Sequence, residues 1–366
     1  MIVFGSPSRY VQGPGALKQL GVELVRIGPG AAIIVDPLVH EAYGALIEES
    51  CVSAGVQAFQ VRFSGECTPA EIDRLSDEVG DASVIAAAGG GKCIDAGKAV
   101  ADRRDGVVVT IPTIASTDAP TSHNYVLYDE NHSMLSVGKL KRNPALVLVD
   151  TQVIACAPQK LFAAGIGDAI GKIYEVEACY NAGGVNILGG ESSWAAVELS
   201  RACHRLLLSE AEAAMSAIQR KAPDSALERV VEGTILLSGL AFESGGLSIA
   251  HSMTRGLTAI RPFSGTPHGF QVAYANLVQL RLEGRPEREI HELAGFYSRV
   301  GLPRSLMELA GEEATPEAMD IIAARTMTGA NVVHFPYNVS ADDIRTAMIW
   351  VEKLFGFSGS GASSPG

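Results

Sequence analysis

Several classes of protein are excluded by what this chain lacks. Its six cysteines (Cys51, Cys67, Cys93, Cys156, Cys179, Cys203) include no C-x-x-C pair, so they read as reduced, mostly buried thiols of a cytosolic protein. No stretch reaches the ~18 uninterrupted apolar residues of a membrane span. The start, Met1-Ile-Val-Phe-Gly-Ser-Pro, has neither the basic region nor the apolar run of an export signal. Lys and Arg number 29 against 41 Asp and Glu, with a formal net charge of −12 and no basic block, which argues against a nucleic-acid footprint or an anionic membrane surface. Charged residues are only 19% of the chain while hydrophobic ones are 47%, so burial is easy to supply. At 366 residues the chain is long for one core, and two domains are expected. A cytoplasmic enzyme acting on a small neutral or chelating substrate fits these bounds.

The first ~150 residues alternate β-branched runs with amphipathic segments, the pattern of βαβ units and a parallel sheet. Residues 31–36, 57–63, 83–88, 107–112 and 145–150 read as strands, and Leu38 to Ala54 as a helix. Thr68-Pro69-Ala70-Glu71 predicts a helix start with a capping box. The strand at 83–88 runs into Gly89-Gly90-Gly91-Lys92-Cys93-Ile94-Asp95. Three glycines between a buried strand and a helix let the backbone approach a phosphate closely, and the helix N-terminus favours an anion. A dinucleotide pyrophosphate is the expected guest, although the run is neither G-x-G-x-x-G nor the Walker pattern; a tight turn that binds nothing is the alternative. Asp36, at the end of an early strand, is placed to accept hydrogen bonds from an adenosine ribose and to repel a 2′-phosphate, which predicts NAD over NADP. Equally, Asp36-Pro37 is a common turn opening. The loop Thr113 to Ser122 is dense in hydroxyl groups and carries Asp118; it suits cofactor phosphates and ribose, or self-capping turns.

From about residue 158 the period changes to three and four, as in 191–209, 225–241 and 287–299, which read as helices of a bundle. The expected organisation is an α/β Rossmann-like domain with a parallel sheet (1–157), an all-α helical-bundle domain (158–355) and a low-complexity tail (356–366). Asp168, in the small-residue stretch 165–172, and His251 and His268, beside glycine-rich or proline-containing boundaries, all fall in the helical part. A carboxylate and two imidazoles suit Zn²⁺ or Fe²⁺ and leave a coordination position open for substrate. Their spacings match no short local metal motif. Taken singly, each is more readily a cap, a turn residue or a satisfied core histidine.

Together these segments resemble a known family. Gly89 to Asp95, Ile111 to Pro120, Gly165 to Ala169, Leu237 to Gly246, Ala250-His251 and His268-Gly269 occur in the order found in the metal-dependent polyol dehydrogenases of the iron-containing alcohol dehydrogenase superfamily, with the glycerol dehydrogenase branch the most similar. The resemblance covers nearly the whole chain. It implies a dehydroquinate synthase-like fold of two domains with a cleft between them. It makes Asp168, His251 and His268 the metal ligands, usually for Zn²⁺, with Fe²⁺ the other candidate. It gives Asp36, Gly90, Gly91, Lys92, Asp95, Thr113, Ser116, Ser122, Asn124 and Tyr128 to NAD, and Asp118 to the polyol. It further implies a homo-oligomer, often an octamer.

The chain departs from that branch after both histidines. Ser252-Met253-Thr254-Arg255-Gly256 replaces a segment that usually holds a second histidine and an asparagine, and Gly269-Phe270-Gln271 replaces Gly-Glu-Lys. Such changes alter the pocket wall and retune a metal site. The expected reaction is reversible hydride transfer from a metal-activated vicinal diol to C4 of NAD⁺, taking glycerol to dihydroxyacetone. The alternatives are a 2-oxoacid (hydroxycarboxylate) reductase, with Arg255 pairing the substrate carboxylate, and a non-catalytic NAD-binding regulatory protein.

Overall fold

The computed structural model describes residues 1–130 and 134–356. All but the first residue of the expected tail lies outside the described residues. Six strands form one parallel sheet: β1 (Tyr10–Gly13), β2 (Gly30–Val35), β3 (Gln57–Arg62), β4 (Val84–Gly89), β5 (Val107–Pro112) and β8 (Leu146–Asp150). Their spatial order is β1-β8-β5-β4-β2-β3, and a separate antiparallel hairpin joins β6 (Asn124–Tyr128) to β7 (Met134–Lys139).

The four central strands, β8, β5, β4 and β2, read as continuous apolar runs because both of their faces are covered. Alternate residues of β2 go to opposite cores: Ala31, Ile33 and Val35 to one, Ala32 and Ile34 to the other. β8 does the same, but its second face, Val147 and Val149, joins the core of the helical half. The two halves therefore share packing through that strand.

The chain leaves β2 for β3 on one side and returns to place β4 on the other. The tips of β2 and β4 thus flank a topological switch point, where loops diverge and open sheets form a crevice. Asp36 follows β2 and Gly89-Gly90-Gly91 ends β4, so the acid and the glycine turn expected to serve one ligand stand side by side.

After β8 the chain is helical. Expected helices are found at Trp194–Arg220, at Glu287–Val300 and from Ser225 to Gly245, the last interrupted by a wide π turn at Glu232–Leu237. Two local expectations change. β1 and the β6–β7 hairpin are absent from the strands anticipated above: β1 has only four residues, and the hairpin strands lack the fully buried apolar run of the central strands. At Thr68 only half of the capping box forms: Thr68 Oγ1 accepts from Glu71 N, but the Glu71 carboxylate turns to Ser64 N and Arg74. The arginine supplies a charged donor that the Thr68 backbone cannot match.

Candidate active site

Close helix crossings bring the metal-type residues together, and glycines permit them. Asp168 lies on the helix Gln159–Ile170 and His268 opens the helix His268–Leu282. A Cβ on Gly269 would stand 1.7 Å from the Ala164 carbonyl oxygen, and one on Gly167 would stand 2.5 Å from that of Gly269. Neither helix has room for a side chain at the crossing, so the backbones touch. Gly165 does the same toward the other half: its Cβ would stand 1.9 Å from the Ala115 carbonyl oxygen. The loop carrying Asp118 is thereby seated against the helix carrying Asp168.

His251 comes from a third helix, Ile249–Leu257. One ligand atom from each of Asp168, His251 and His268 lies within 4.8 Å of the others. Asp168 Oδ1 is 3.3 Å from His251 Nε2 and 4.0 Å from His268 Nε2, and the rings meet edge to face with centroids 5.4 Å apart. This donor set, one carboxylate and two imidazoles, is the sort that holds a divalent transition-metal ion.

Two further residues complete the cluster, and neither was singled out from the sequence. Glu175 is fully buried. Its Oε1 accepts from Ser248 N and His251 N, each at 2.9 Å, and its Oε2 pairs with His251 Nδ1. It thus caps the His251 helix and fixes the ring so that Nε2 faces Asp168. Lys172, 1% exposed, points its Nζ into the centre. That nitrogen is 2.7 Å from Asp168 Oδ1, 3.0 Å from His251 Nε2 and 3.2 Å from Asp118 Oδ2. Its spacing from Asp168, one helical turn, was the available signal.

The electrostatics follow from these contacts. Burial alone would raise the Asp168 carboxyl's pKa, but the Lys172 ammonium and the histidines hold it well below the carboxylate range. Burial works against the ammonium of Lys172, yet Asp118, Asp168 and Glu175 raise its pKa above the ordinary lysine value. Burial disfavours an imidazolium at His251 while Glu175 and Asp168 favour it, raising the ring to about 9. With the ammonium 3.0 Å from Nε2, however, that nitrogen has no room for a proton and accepts instead. Burial and the charge of Asp168 push the Asp118 carboxyl upward, against Lys172 and a 2.6 Å hydrogen bond from Ser238 Oγ. Ser238 follows the π turn, where the Thr121 hydroxyl donates to the Ile235 carbonyl at 3.3 Å. The widened turn ties this helix to the Asp118 loop.

On the sheet side, Gly90 precedes the helix Gly91–Arg104 and offers no side-chain cap to its opening N–H groups. A Cβ on Gly90 would meet only Ile114 at 3.9 Å, and one on Gly91 only Thr117 at 3.5 Å or more, so the turn presents bare backbone. Further along, Gly97 lets the helix lie on β4, since its Cβ would stand 2.5 Å from Ala87 Cβ. Asp36 caps the helix Pro37–Ser53 through a 3.0 Å bond from Leu38 N, with its Cβ 3.1 Å from where a Cβ of Gly89 would be. Lys92 pairs with Glu66 at 2.5 Å and stands 5.3 Å from the centre of the Tyr128 ring. Among the described residues, Asp95 and Asn124 each retain a buried Oδ1 with no hydrogen-bond partner, while Asp95 Oδ2 accepts from Val126 N at 3.1 Å. Buried acceptors of this kind call for a donor the protein does not supply. Thr113 is tied to the turn by its N–H to the Gly89 carbonyl at 3.1 Å. Ser122 bonds to Lys98 at 3.4 Å, and Ser116 is half-buried in the loop beneath Gly165. Arg255 is exposed on the last turn of the His251 helix.

Comparisons with known proteins bear on the fold and the family. Residues 7–151 match the profile of the iron-containing alcohol dehydrogenases. The chain is 37% identical over 354 residues to a glycerol dehydrogenase of Escherichia coli O6:H1, covering 96% of each protein. It is 34% identical over 355 residues to a glycolaldehyde reductase of Halobacterium salinarum, covering 96% of this chain and 97% of that one. The crystal structure of glycerol dehydrogenase from Schizosaccharomyces pombe superimposes with a TM-score of 0.93 at 30% identity, over 100% of this chain and 95% of the other. With a parallel sheet ending in a bare glycine turn, Asp168, His251 and His268 gathered from three helices, and full-length similarity of this order, the chain belongs to the iron-containing alcohol dehydrogenase family.

Proposed function

We propose that this protein is an NAD-dependent, metal-dependent oxidoreductase that interconverts glycerol, or a related small vicinal diol, with dihydroxyacetone or the matching hydroxy-carbonyl compound. The observation that carries the reading is the convergence of Asp118, from the sheet half, with Asp168, His251 and His268, from the helical half, behind the glycine turn. Glycerol and glycolaldehyde, the compounds named for the two relatives, share a pair of adjacent oxygens. The division into a cofactor unit (1–157) and a helical unit (158–355) belongs to this reading, as do a cytoplasmic location and a homo-oligomer, octameric in the fullest form. No single described helix is long and apolar enough to cross a membrane.

The residues fit both implied groups. Asp168 Oδ1, His251 Nε2 and His268 Nε2 would hold the divalent ion, with Zn²⁺ preferred over Fe²⁺. Asp36, Gly90, Gly91, Lys92, Asp95, Thr113, Ser116, Ser122, Asn124 and Tyr128 would hold NAD, and the orphaned oxygens of Asp95 and Asn124 are acceptors such a guest would satisfy. A bound divalent cation supplies Lewis-acid stabilisation of the charge that develops as an alcohol gives up its proton and hydride. The chain's own residues prepare the rest. Glu175 locks the His251 tautomer, the glycine turn lets the cofactor's phosphates reach backbone N–H groups, and Ser238 fixes Asp118. Asp118 orients the polyol and passes the hydroxyl proton outward.

NAD⁺ reduction is to be followed with glycerol, 1,2-propanediol and 2-hydroxybutyrate, before and after chelation and with Zn²⁺ restored. Diol oxidation that is lost on chelation and regained with Zn²⁺ is expected. Activity confined to 2-hydroxybutyrate would transfer the assignment to the hydroxycarboxylate reductase, against which the exposed position of Arg255 already counts.

A further inference from the structure

Lys172 uses the same atoms that a metal ion would need. The Nδ1 proton of His251 goes to Glu175, which leaves Nε2 one lone pair, and the Lys172 ammonium takes it at 3.0 Å. The same ammonium holds Asp168 Oδ1 at 2.7 Å. An imidazole nitrogen cannot give one lone pair to an N–H and to a metal at once. We propose that Lys172 is a tethered cation that competes with the divalent ion for Asp168 and His251, and that loading proceeds by its hand-over to Asp118. The inference rests on the metal reading given above.

Charge balance supports an exchange between two cations. Asp118, Asp168 and Glu175 are all buried and set three negative charges around one ammonium. Two negative charges are left over, and a single divalent ion neutralises them without expelling Lys172 from the interior. The long, flexible stem of lysine allows the shift. Asp118 Oδ2, already 3.2 Å away, is the acceptor to which the ammonium retreats. Without the ion Lys172 prevents mutual repulsion of the carboxylates; with it, the ammonium stands against Asp118, beside the polyol.

The test is Zn²⁺ affinity, read by competition with a chromophoric chelator, for the wild type, Lys172→Met and Lys172→Gln, and for each with His268→Ala added. Lys172→Gln keeps a hydrogen-bond donor without the charge, so a folding defect in the methionine variant does not end the experiment. Both single variants are expected to bind one Zn²⁺ at least tenfold more tightly than the wild type, and His268→Ala is expected to abolish the gain. Equal or weaker binding in both, with His268→Ala still lowering wild-type affinity, overturns the competition and leaves the metal site standing. If His268→Ala changes nothing in any background, the metal reading falls and takes this inference with it.

Discussion

Lys98 and Lys172 are both fully buried, each one helical turn downstream of a buried aspartate, yet their surroundings push them in opposite directions. Lys98 donates to the Ala119 carbonyl at 2.5 Å and the Asn124 carbonyl at 2.8 Å. Neutral oxygens satisfy its hydrogens without repaying the lost hydration of its charge, and burial lowers its pKa to about 8 despite Asp95. Asp95 shows the same cost from the acid side, raised to about 6 by burial against Lys98. Lys172 is surrounded by carboxylates, and its proton is held more tightly than in water. One lysine is a strap that ties residues 119–124 to the helix beneath them. The other is a mobile charge aimed at ligand atoms.

The largest test of this contrast is Lys98→Met. It leaves Asp95 buried beside no cation and frees two carbonyls, so urea unfolding should show a loss of about 3–5 kcal/mol, the usual result of breaking a buried pair from one side. The loss should be the same with and without Zn²⁺. A deficit that Zn²⁺ repairs would place Lys98 in the same class as Lys172 and break the distinction.

The next test varies pH. Lys98 keeps its proton to its ordinary 10.5 in the unfolded chain but only to about 8 in the fold. Between those values the unfolded state binds more protons, so this group's contribution to stability is least below pH 8 and grows as pH rises through the window. The stability of the wild type minus that of Lys98→Met should therefore increase by about 2 kcal/mol between pH 7.5 and pH 10. A flat difference would show that Asp95 compensates the ammonium fully.

The last test sharpens the other side. Glu175→Gln keeps the shape but removes the carboxylate that orients His251, and loss of such a partner typically costs 10–100-fold in metal affinity. Chelator competition measures it. An unchanged affinity would mean that helix packing alone aims the ring.

How much of this could be read in advance depended on distance along the chain. The glycine turn is a local object, complete within Gly89 to Asp95, and it stands at the tip of β4 where a strand-to-helix junction was expected. The candidate trio Asp168, His251 and His268 draws on three helices spread over half of the helical part. No local period connects them, and only the resemblance of several segments grouped them. Lys172 and Glu175 lay in plain view, one and two turns after Asp168, but a face is chemically blank until its partner is known, and His251 is the partner. The second half of the capping box at Thr68 failed for a related reason, since Arg74 competes for Glu71 from a position that propensity alone does not rank.

The glycine crossing of the Asp168 and His268 helices has a mechanical consequence. The helix backbones that carry Asp168 and His268 are already in contact, Glu175 pins the His251 ring, and no hydrogen bond among the described residues holds the His268 ring, whose side chain is 44% exposed. Under the proposed metal reading the site is a vice with two set jaws and one hinged jaw. Ions of different radius would then be accommodated by rotation of the His268 ring, and selectivity among them would follow from how far that one ring can turn.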